Sequence, residues 1–495
     1  MTKTFDIVIV GTGAGGGTVA ERLSRLLPGA SIALLEAGPN YPPSHFTQRE
    51  AEMMGLFWHG GGWPTKDGAI TLAAGKAVGG STLVYTGVTF RLPDEVLGEW
   101  NVPGLTPSDL APRFDRLEAE INVVTPGPDM VNDNNRLFKE ACDSLGWPVE
   151  TLRLNLRNCE QMGFCNLGCA CGAKQGTAQV QIPAAIGRGS TLVPNCRVDR
   201  VSDGRVSAYV SPAPADTLPG PWESGEVTIE ARAVVLCAGT PGTPAIMQRS
   251  GLGESLPMLG RYLTLHPAVT LYGIQPSPIK NYQGFPKTYY TGKFSHSHGF
   301  YMETAFYYPF ITTKHLGLWG PDLKFAMSRY RNFQTVIILN HDPALPENRV
   351  SLDKSGDPVL DYAIHPSTIS SLCHSQRAAT RLFLESGCTH AIMPCAEKPL
   401  FTAREGKNAN LAEFISEKRF ILNKMPISSA HPQGGCRMGQ NAADSVTDGF
   451  GRVHGSKNLW VADASLFPKS SHVNPYLTIM ALADRVAENV AEVVR

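Results

Sequence analysis

A histidine and an asparagine near the C-terminus stand in local sequences that suit a reaction centre. His431 begins a Gly-rich turn, His431-Pro-Gln-Gly-Gly-Cys-Arg-Met-Gly439, in which an imidazole can point into a cleft and accept a proton near neutral pH. Asn474 and Pro475 favour the first positions of a helix. The N-terminus of that helix would offer partial positive charge to an anion. We therefore expect a general base at His431 and an anion-stabilising helix end at Pro475.

Cysteines are crowded in the middle of the chain. Of the 11 cysteines, four fall between residues 159 and 171, with glycines among them: Cys159, Cys165, Cys169 and Cys171. Such crowding is what thiolate ligation of iron-sulfur or zinc requires. The spacing matches neither a zinc ribbon nor a common ferredoxin run, so a loop of inert thiols is the alternative.

The N-terminal segment predicts the elements that would hold a nucleotide. The apolar run 5–10 is followed at once by Gly11-Thr-Gly13-Ala-Gly-Gly16 and a helical pattern. A second apolar run then ends at Glu36, about 20 residues after Gly16. The glycines let the backbone approach a pyrophosphate at the helix N-terminus, and the acid can bind a ribose hydroxyl. This pattern predicts a Rossmann-like dinucleotide site, without distinguishing FAD from NAD.

A second Gly-rich run covers residues 75–91 and includes Gly75, Gly79, Gly80 and Ser81. Glycines allow the main chain to pass close to a flat ring system and to offer its amide groups to it. The run is therefore a second candidate for cofactor contact.

Several stretches together resemble the signatures of the glucose-methanol-choline (GMC) flavoprotein oxidoreductases. Between residues 431 and 478 the order is His-Pro-x-Gly-Gly, Gly-Arg-Val-x-Gly-x-x-Asn-Leu, Asp-Ala-Ser and Asn-Pro-x-x-Thr. Residues 75–91 resemble the first family signature and residues 239–253 the second. The Asn-Pro pair is most similar to the cholesterol-oxidase and long-chain-alcohol-oxidase branch.

The resemblance implies an α/β fold of two domains. Residues 1–92, 181–265 and 425–495 would form a discontinuous, Rossmann-like FAD-binding domain. Residues 93–180 and 266–424 would form a substrate-binding domain with a large antiparallel sheet and helices. The Cys-rich stretch 159–171 would be an insertion in the second domain.

The resemblance also implies roles for individual residues. His431 would be the base that takes the hydroxyl proton, and Asn474 would orient the alcohol oxygen. Val198 would lie where family members hydrogen-bond adenine through the backbone. The expected cofactor-binding residues are Gly11, Gly13, Gly16, Glu36, Gly75, Gly79, Gly80, Ser81, Val198, Asp463 and Pro475. Family members commonly have Asn where this sequence has Tyr85, and a small shift of alignment would make His472 the partner of His431.

Aromatic residues are concentrated in the expected substrate domain. Residues 282–333 hold 15 of the 41 aromatic residues. They would line a site for a bulky apolar or aromatic alcohol, or pack the sheet against helices. We expect FAD-dependent oxidation of an alcohol to an aldehyde or ketone, with oxygen or a redox protein as the electron acceptor.

Two alternative functions stay open. The Cys-x5-Cys-x3-Cys spacing of Cys159, Cys165 and Cys169 resembles GMC dehydrogenases that carry an iron-sulfur cluster and pass electrons to a protein partner. The same stretch, with Gly-x-Lys ending at Lys174, also resembles long-chain alcohol oxidases. Because a fold does not fix a function, a non-redox FAD lyase or decarboxylase is the second alternative.

Charge and hydropathy exclude some partner classes. The 44 basic and 44 acidic residues cancel, and no basic run indicates nucleic acid as a partner. No apolar stretch approaches the roughly 20 residues of a membrane span. The first strand begins almost at the N-terminus, and the cysteine number is odd, so we expect a cytoplasmic protein with reduced thiols.

Overall fold

The computed structural model describes residues 1–202, 204–394 and 397–495. Within these ranges the strands are β1 (Thr2–Val10), β2 (Ile32–Leu35), β3 (Trp63–Pro64), β4 (Ile70–Leu72), β5 (Val123–Val124), β6 (Glu150–Thr151), β7 (Leu154–Asn155), β8 (Thr191–Val193), β9 (Cys196–Ser202), β10 (Arg205–Val210), β11 (Gly225–Leu236), β12 (Ala268–Ile274), β13 (Tyr289–Thr291), β14 (Phe300–Thr304), β15 (Phe333–Asn340), β16 (Arg349–Leu352), β17 (Pro358–Asp361), β18 (His390–Ile392), β19 (Leu400–Thr402), β20 (Ile427–Ser429) and β21 (Leu459–Val461).

The α-helices are α1 (Ala14–Leu26), α2 (Asp94–Trp100), α3 (Pro107–Glu120), α4 (Asp133–Ser144), α5 (Gln181–Gly187), α6 (Gly239–Arg249), α7 (Ser295–His298), α8 (Pro309–Leu316), α9 (Gly320–Ser328), α10 (Pro366–Glu385), α11 (Ala403–Asn408), α12 (Leu411–Phe414) and α13 (Tyr476–Val494). Short 3₁₀ helices lie in the connections, including Gly80–Leu83 and Ala464–Leu466. Strands and helices mix throughout, which confirms the expected α/β class.

One sheet has the arrangement expected of a nucleotide-binding fold. Its seven strands follow the order β8-β2-β1-β11-β10-β9, and β21 also pairs with β11. Strands β8, β2, β1, β11 and β21 are parallel to one another, whereas β10 is antiparallel to both β11 and β9. Strand β2 and the second half of β1 are fully buried, as parallel strands covered on both faces must be. Helix α1 connects β1 to β2 and packs against α13.

Small residues let α1 start directly against the end of β1. A Cβ on Gly16 would come within 1.9 Å of the Gly11 carbonyl oxygen, and a Cβ on Gly15 within 1.8 Å of the Ala462 carbonyl oxygen. Gly11 itself has φ +100, a backbone conformation that glycine adopts without steric cost. Packing by itself therefore requires glycine at residues 11, 15 and 16.

The second sheet contains ten strands in the order β3-β4-β20-β12-β15-β14-β13-β6, with β18 and β19 branching from β12. Strands β12, β15, β14 and β13 are antiparallel, which matches the expected antiparallel sheet. Strands β3, β4 and β20 belong to this sheet, although segments 1–92 and 425–495 were expected to lie wholly in the nucleotide-binding half. The reason is backbone pairing, because Ser428 in β20 pairs with both Thr71 in β4 and Ala268 in β12.

The two faces of this sheet have different surroundings. One face packs on helices α4 and α10 with buried apolar side chains: Val269, Leu271, Phe300, Met302, Val336 and Ile338. By strand alternation, the opposite face carries Ala268, Thr270, Tyr301, Glu303, Ile337 and Leu339. The aromatic residues of segment 282–333 are therefore divided between the core and the opposite face.

Two boundaries differ from the sequence-based expectation. Helix α13 begins at Tyr476, and Pro475 rather than Asn474 is the residue that caps it. The single strand expected over residues 191–201 is divided into β8 and β9, because Asn195 adopts φ 56 between them. No helix in the described ranges is both long and apolar enough to cross a bilayer.

A buried carboxylate joins helices α1, α3 and α13. Asp484 in α13 is 1% exposed and pairs with Arg22 in α1 and with Arg113 and Arg116 in α3. Three cations around one carboxylate compensate the cost of removing it from water.

Replacing Asp484 should therefore destabilise the fold strongly. We expect Asp484→Ala to lower the free energy of unfolding by about 3–5 kcal/mol, because it removes the buried carboxylate that three guanidinium groups share, although Arg22 and Arg113 keep Glu488 as a second partner. Chemical denaturation measures this. The control is Asp143→Ala, which removes the exposed pair with Lys139 and should cost no more than about 1 kcal/mol. Equal losses in the two variants would contradict the role given to Asp484.

Candidate active site

Glu36 lies at the carboxyl end of β2, where a nucleotide ribose is expected. Its Oε2 accepts hydrogen bonds from the Thr12 backbone N–H (3.1 Å) and hydroxyl (2.6 Å), and its Oε1 accepts one from Gly38 N–H (2.8 Å). Burial raises the pKa of this carboxyl. Because Oε1 has only one donor, it retains capacity to accept a further hydroxyl.

The N-terminus of α1 has room for an anionic group. Gly13 is the N-cap, and no side chain caps the helix there. A Cβ built on Gly13 meets no heavy atom within 4 Å, unlike those on Gly11 and Gly16. Uncapped helix amides beside open space fit a pyrophosphate, so the residues present suit a dinucleotide.

The second Gly-rich run covers this turn. Gly79 N–H donates to the Thr12 hydroxyl at 3.0 Å, and a Cβ on Gly80 would lie 2.8 Å from the Gly13 Cα. Gly75 N–H donates to the Ser81 hydroxyl at 3.1 Å. The two Gly-rich segments are therefore adjacent in space, as a shared ligand would require.

The other expected cofactor residues lie in different settings. Val198 is in β9, shortly after Cys196, whose N–H donates to the Glu36 carbonyl at 2.7 Å. Asp463 is buried, and both of its carboxylate oxygens accept from protein donors: Gly239 N–H, the Thr243 hydroxyl, Ser465 N–H and the Ser465 hydroxyl. Any contact from Asp463 to a cofactor would therefore come from its backbone.

His431 is held by a second histidine. The Nδ1 atoms of His431 and His266 are 3.0 Å apart, and the rings are perpendicular. His266 is 1% exposed and lies just before β12, while His431 follows β20. Nε2 of His266 is 2.8 Å from the Ser470 hydroxyl and 3.2 Å from Gln433 Nε2. With its Nδ1 engaged, His431 has only Nε2 free for a substrate.

Sequence reasoning missed His266 and Gln433. The Gln433 side chain accepts from Ser471 N–H at 2.8 Å, and its amide group donates to the His431 carbonyl at 3.2 Å. It therefore connects the turn carrying His431 to segment 470–474. The Leu-His-Pro sequence at 265–267 gave no periodic signal, since only the tertiary fold places it beside residue 431.

Asn474 lies at the end of this connected segment. It is 9% exposed, and Pro475 rather than Asn474 is the N-cap of α13. The amide therefore remains available for another group, while α13 presents its N-terminal end immediately afterwards.

The environment of His431 keeps its imidazole neutral. Burial, with a smaller contribution from the charge of Lys287, lowers the pKa of His431 from 6.5 to about 3. Burial also lowers the pKa of His266 well below its ordinary value. Both rings are therefore uncharged at neutral pH, each carries hydrogen on one nitrogen, and one ring donates to the other.

The two residues that the sequence left undecided have partners elsewhere. The His472 ring stacks on His341 with ring centroids 4.4 Å apart and an angle of 10° between the rings. The Tyr85 hydroxyl accepts from Asn155, and its ring lies 4.8 Å from that of Tyr476. Neither His472 nor Tyr85 hydrogen-bonds His431 in the described part of the chain.

A buried lysine orders the segment around Tyr85. Lys174 is 1% exposed, and its ammonium donates to the carbonyls of Leu83 (2.7 Å), Tyr85 (2.8 Å) and Cys165 (2.6 Å). Burial lowers its pKa to about 8. Lys174 thus attaches the Cys-rich stretch to the Gly-rich run.

The structure does not support a cluster at Cys159, Cys165 and Cys169. No group of three or more His, Cys, Asp or Glu side chains within residues 1–202, 204–394 and 397–495 could hold a metal ion. Burial raises the pKa of Cys165 to about 12 and raises that of Cys169, so these thiols stay protonated at neutral pH. The closest approach is a contact of 3.7 Å between the Cys169 and Cys171 sulfurs. Cys165 is instead buried, and its carbonyl accepts a hydrogen bond from the Lys174 ammonium.

Comparison with known proteins gives a consistent result. Family models described as GMC oxidoreductase match residues 53–268 and 344–483. An uncharacterised GMC-type oxidoreductase of Mycobacterium tuberculosis is 30% identical over 99% of this chain and 76% of its own length. Long-chain-alcohol oxidase FAO3 of Arabidopsis thaliana is 25% identical over 98% of this chain and 68% of its own. The crystal structure of a pyridoxine 4-oxidase superposes with a TM-score of 0.72 at 19% identity, covering 98% and 99% of the two chains.

Gly13 should be required for the cofactor and not for the fold. We expect Gly13→Val to fold with a near-normal melting temperature but to purify without FAD, because the new side chain enters space that no protein atom occupies. Visible absorbance and circular dichroism measure the two properties. Gly16→Val is the matched comparison, and it should fail to fold because its Cβ meets backbone. Normal FAD content in Gly13→Val would contradict the placement of the pyrophosphate.

Proposed function

The chain belongs to the GMC oxidoreductase family and is an FAD-dependent oxidoreductase acting on a CH–OH group, and we propose that His431 is the base of this reaction. The observation that carries the proposal is the contact between His431 and His266. It leaves one imidazole nitrogen of a buried, neutral histidine free for a substrate hydroxyl. Asn474 is the proposed partner that orients the alcohol oxygen.

The proton chemistry depends on which nitrogen of each histidine carries hydrogen. When bound, FAD accepts the hydride that no amino-acid side chain can accept. His431 can take the hydroxyl proton at Nε2 only if its own hydrogen is on Nδ1, donated to Nδ1 of His266. His266 must then carry its hydrogen on Nε2 and donate it to the Ser470 hydroxyl.

Gln433 favours the opposite arrangement. Its Oε1 accepts from Ser471 N–H, so its Nε2 group is a donor directed at Nε2 of His266. If that hydrogen bond prevails, His266 carries hydrogen on Nδ1 and donates it to His431, whose Nε2 is then protonated and not basic. Ser470 at 2.8 Å competes with Gln433 at 3.2 Å, and we propose that Ser470 maintains the basic form.

Charge that develops during the reaction has two stabilising groups. The imidazolium formed at His431 donates through Nδ1 to neutral His266, which lowers the cost of a buried cation. The N-terminus of α13, next to Asn474, offers partial positive charge to an anion.

The wall of the substrate site supports an alcohol with an apolar or aromatic body. The sheet face on the side of His266 carries a small apolar cluster of Ala268, Ala305, Ile337 and Leu339, with Tyr307 packed against it. No observation on the described residues favours the iron-sulfur dehydrogenase or the lyase alternative. Oxygen or a redox protein is the proposed electron acceptor.

Replacement of the base should abolish most turnover while leaving the cofactor bound. We expect His431→Ala to lower kcat by about a hundredfold or more, because the variant lacks the imidazole nitrogen that accepts the hydroxyl proton. Anaerobic reduction of the FAD by alcohols, followed by visible absorbance, measures the rate. The comparison is His472→Ala, which disrupts only a stacked pair and should cost much less. An unchanged rate in His431→Ala would remove this histidine from the mechanism.

Ser470 should control the proton position of the histidine pair. We expect Ser470→Ala to lower kcat/KM by about tenfold or more, because Gln433 then holds His266 in the form that protonates Nε2 of His431. Adding Gln433→Glu removes the competing donor and should restore part of the rate. Ser471→Ala, whose hydroxyl donates to the Val473 carbonyl, is the neighbouring control. Equal effects of the two serine variants would contradict the proposal.

A further inference from the structure

A buried ion pair lies on the sheet face that carries the apolar cluster. Glu303 is on β14, where it pairs with Ile337 of β15, and Ile337 pairs with Thr270 of β12. These residues share the face of Ala268, which follows His266 closely in the chain. The Lys287 ammonium donates to Oε2 of Glu303. The pair is therefore on the face opposite the one that packs on α4 and α10.

Both members of the pair are deeply buried with hydrogen-bonding capacity to spare. Glu303 is 1% exposed and Lys287 is 7% exposed. Oε1 of Glu303 is buried and has no hydrogen-bond partner among the described residues. A buried carboxylate oxygen without a donor is costly, because it has lost its water and gained nothing. Such an atom can accept a hydrogen bond from a group that arrives with a ligand.

The pair also lies within electrostatic reach of the reaction centre. Burial and, to a smaller extent, the charge of Lys287 lower the pKa of His431. Burial raises the pKa of Tyr307, and the charges of Lys287 and Glu303 act on that hydroxyl in opposite directions. A molecule with its reacting hydroxyl at His431 could therefore place a second group at Glu303.

The chemistry of the pair selects the second group. A carboxylate would pair with Lys287 but would be repelled by Glu303, and an ammonium group would meet the reverse conflict. A hydroxyl group suits both, because its oxygen accepts from Lys287 and its hydrogen is donated to Oε1 of Glu303. Neither charge then loses its partner.

We propose that the substrate is an alcohol with a second, neutral hydroxyl group that binds between Lys287 and Glu303. This inference rests on the proposed alcohol oxidation and narrows its substrate class. The reacting carbon lies at His431, the apolar or aromatic body lies against Ile337 and Leu339, and the second hydroxyl fixes the orientation. Glu303 and Lys287 are thus specificity-determining residues.

The test compares matched alcohols that have the same apolar body with and without a second hydroxyl group. In the wild-type holoenzyme, kcat/KM should be at least about tenfold higher for the best diol than for its deoxy analogue. Glu303→Gln should bring this ratio close to one with FAD content retained, while the melting temperature falls because the buried ammonium of Lys287 loses its counter-ion. Glu140→Gln, which changes an exposed pair with Arg136, should leave the ratio unchanged.

Other outcomes would overturn the inference. It fails if the wild-type enzyme prefers the deoxy alcohols, or if an acidic or amino alcohol is preferred over the diol. It also fails if Glu303→Gln lowers kcat/KM for both members of a pair equally, since that marks a structural ion pair. Because the wild-type ratio is decisive by itself, a variant that does not fold leaves the inference testable.

Failure of the proposed alcohol oxidation can be distinguished from failure of the proposed hydroxyl site. If no alcohol of either kind reduces the FAD anaerobically, the proposed oxidation is wrong. Binding is then measured by the change in the flavin visible spectrum on titration with each member of a pair. Tighter binding of the diol to wild type, lost in Glu303→Gln, would support the hydroxyl site independently, and equal binding would reject it.

Discussion

The contact between the two imidazoles of His266 and His431 is the constraint on which the site depends. A histidine is a useful base only if the correct nitrogen is free, and a buried histidine cannot rely on water to select it. Here the groups that can make the selection come from three parts of the chain. His266 precedes β12, His431 follows β20, and Ser470 precedes α13. The pairing of β12 with β20 is what places the two rings within hydrogen-bonding distance.

The nucleotide half meets a different constraint, which is close approach of backbones. The β1–α1 turn contacts both the loop at residues 75–83 and segment 462–463, and a side chain at Gly80 or at Gly15 would separate them. Gly13 differs because its Cβ position is open. One glycine of the fingerprint thus serves the ligand most directly, while its neighbours serve the packing that positions it.

Lys174 connects the Cys-rich stretch 159–171 to the Gly-rich run 75–91. Its ammonium donates to three carbonyl groups and lies 5.0 Å from the centre of the Tyr85 ring. A buried cation therefore holds the Cys-rich stretch against the Gly-rich run. The dense cysteines of this stretch are compatible with that role, because buried thiols pack as small apolar groups. The Gly-x-Lys sequence was therefore more informative than the cysteine spacing.

The sequence alone determined the family, the α/β class, the nucleotide-binding elements and the candidate base, because each of these is written in local patterns. The glycines, the buried strand and the acid that follows it, Glu36, are close together in the chain. Recognising them needs no tertiary information. Only the tertiary structure decided which polar groups meet. His266, Gln433 and Ser470 are far apart in sequence, and the partners of Cys165, Tyr85 and His472 could not be read from spacing. The pair Lys287–Glu303 emerged for the same reason, since the energy of a buried polar group depends on the neighbours that folding brings to it.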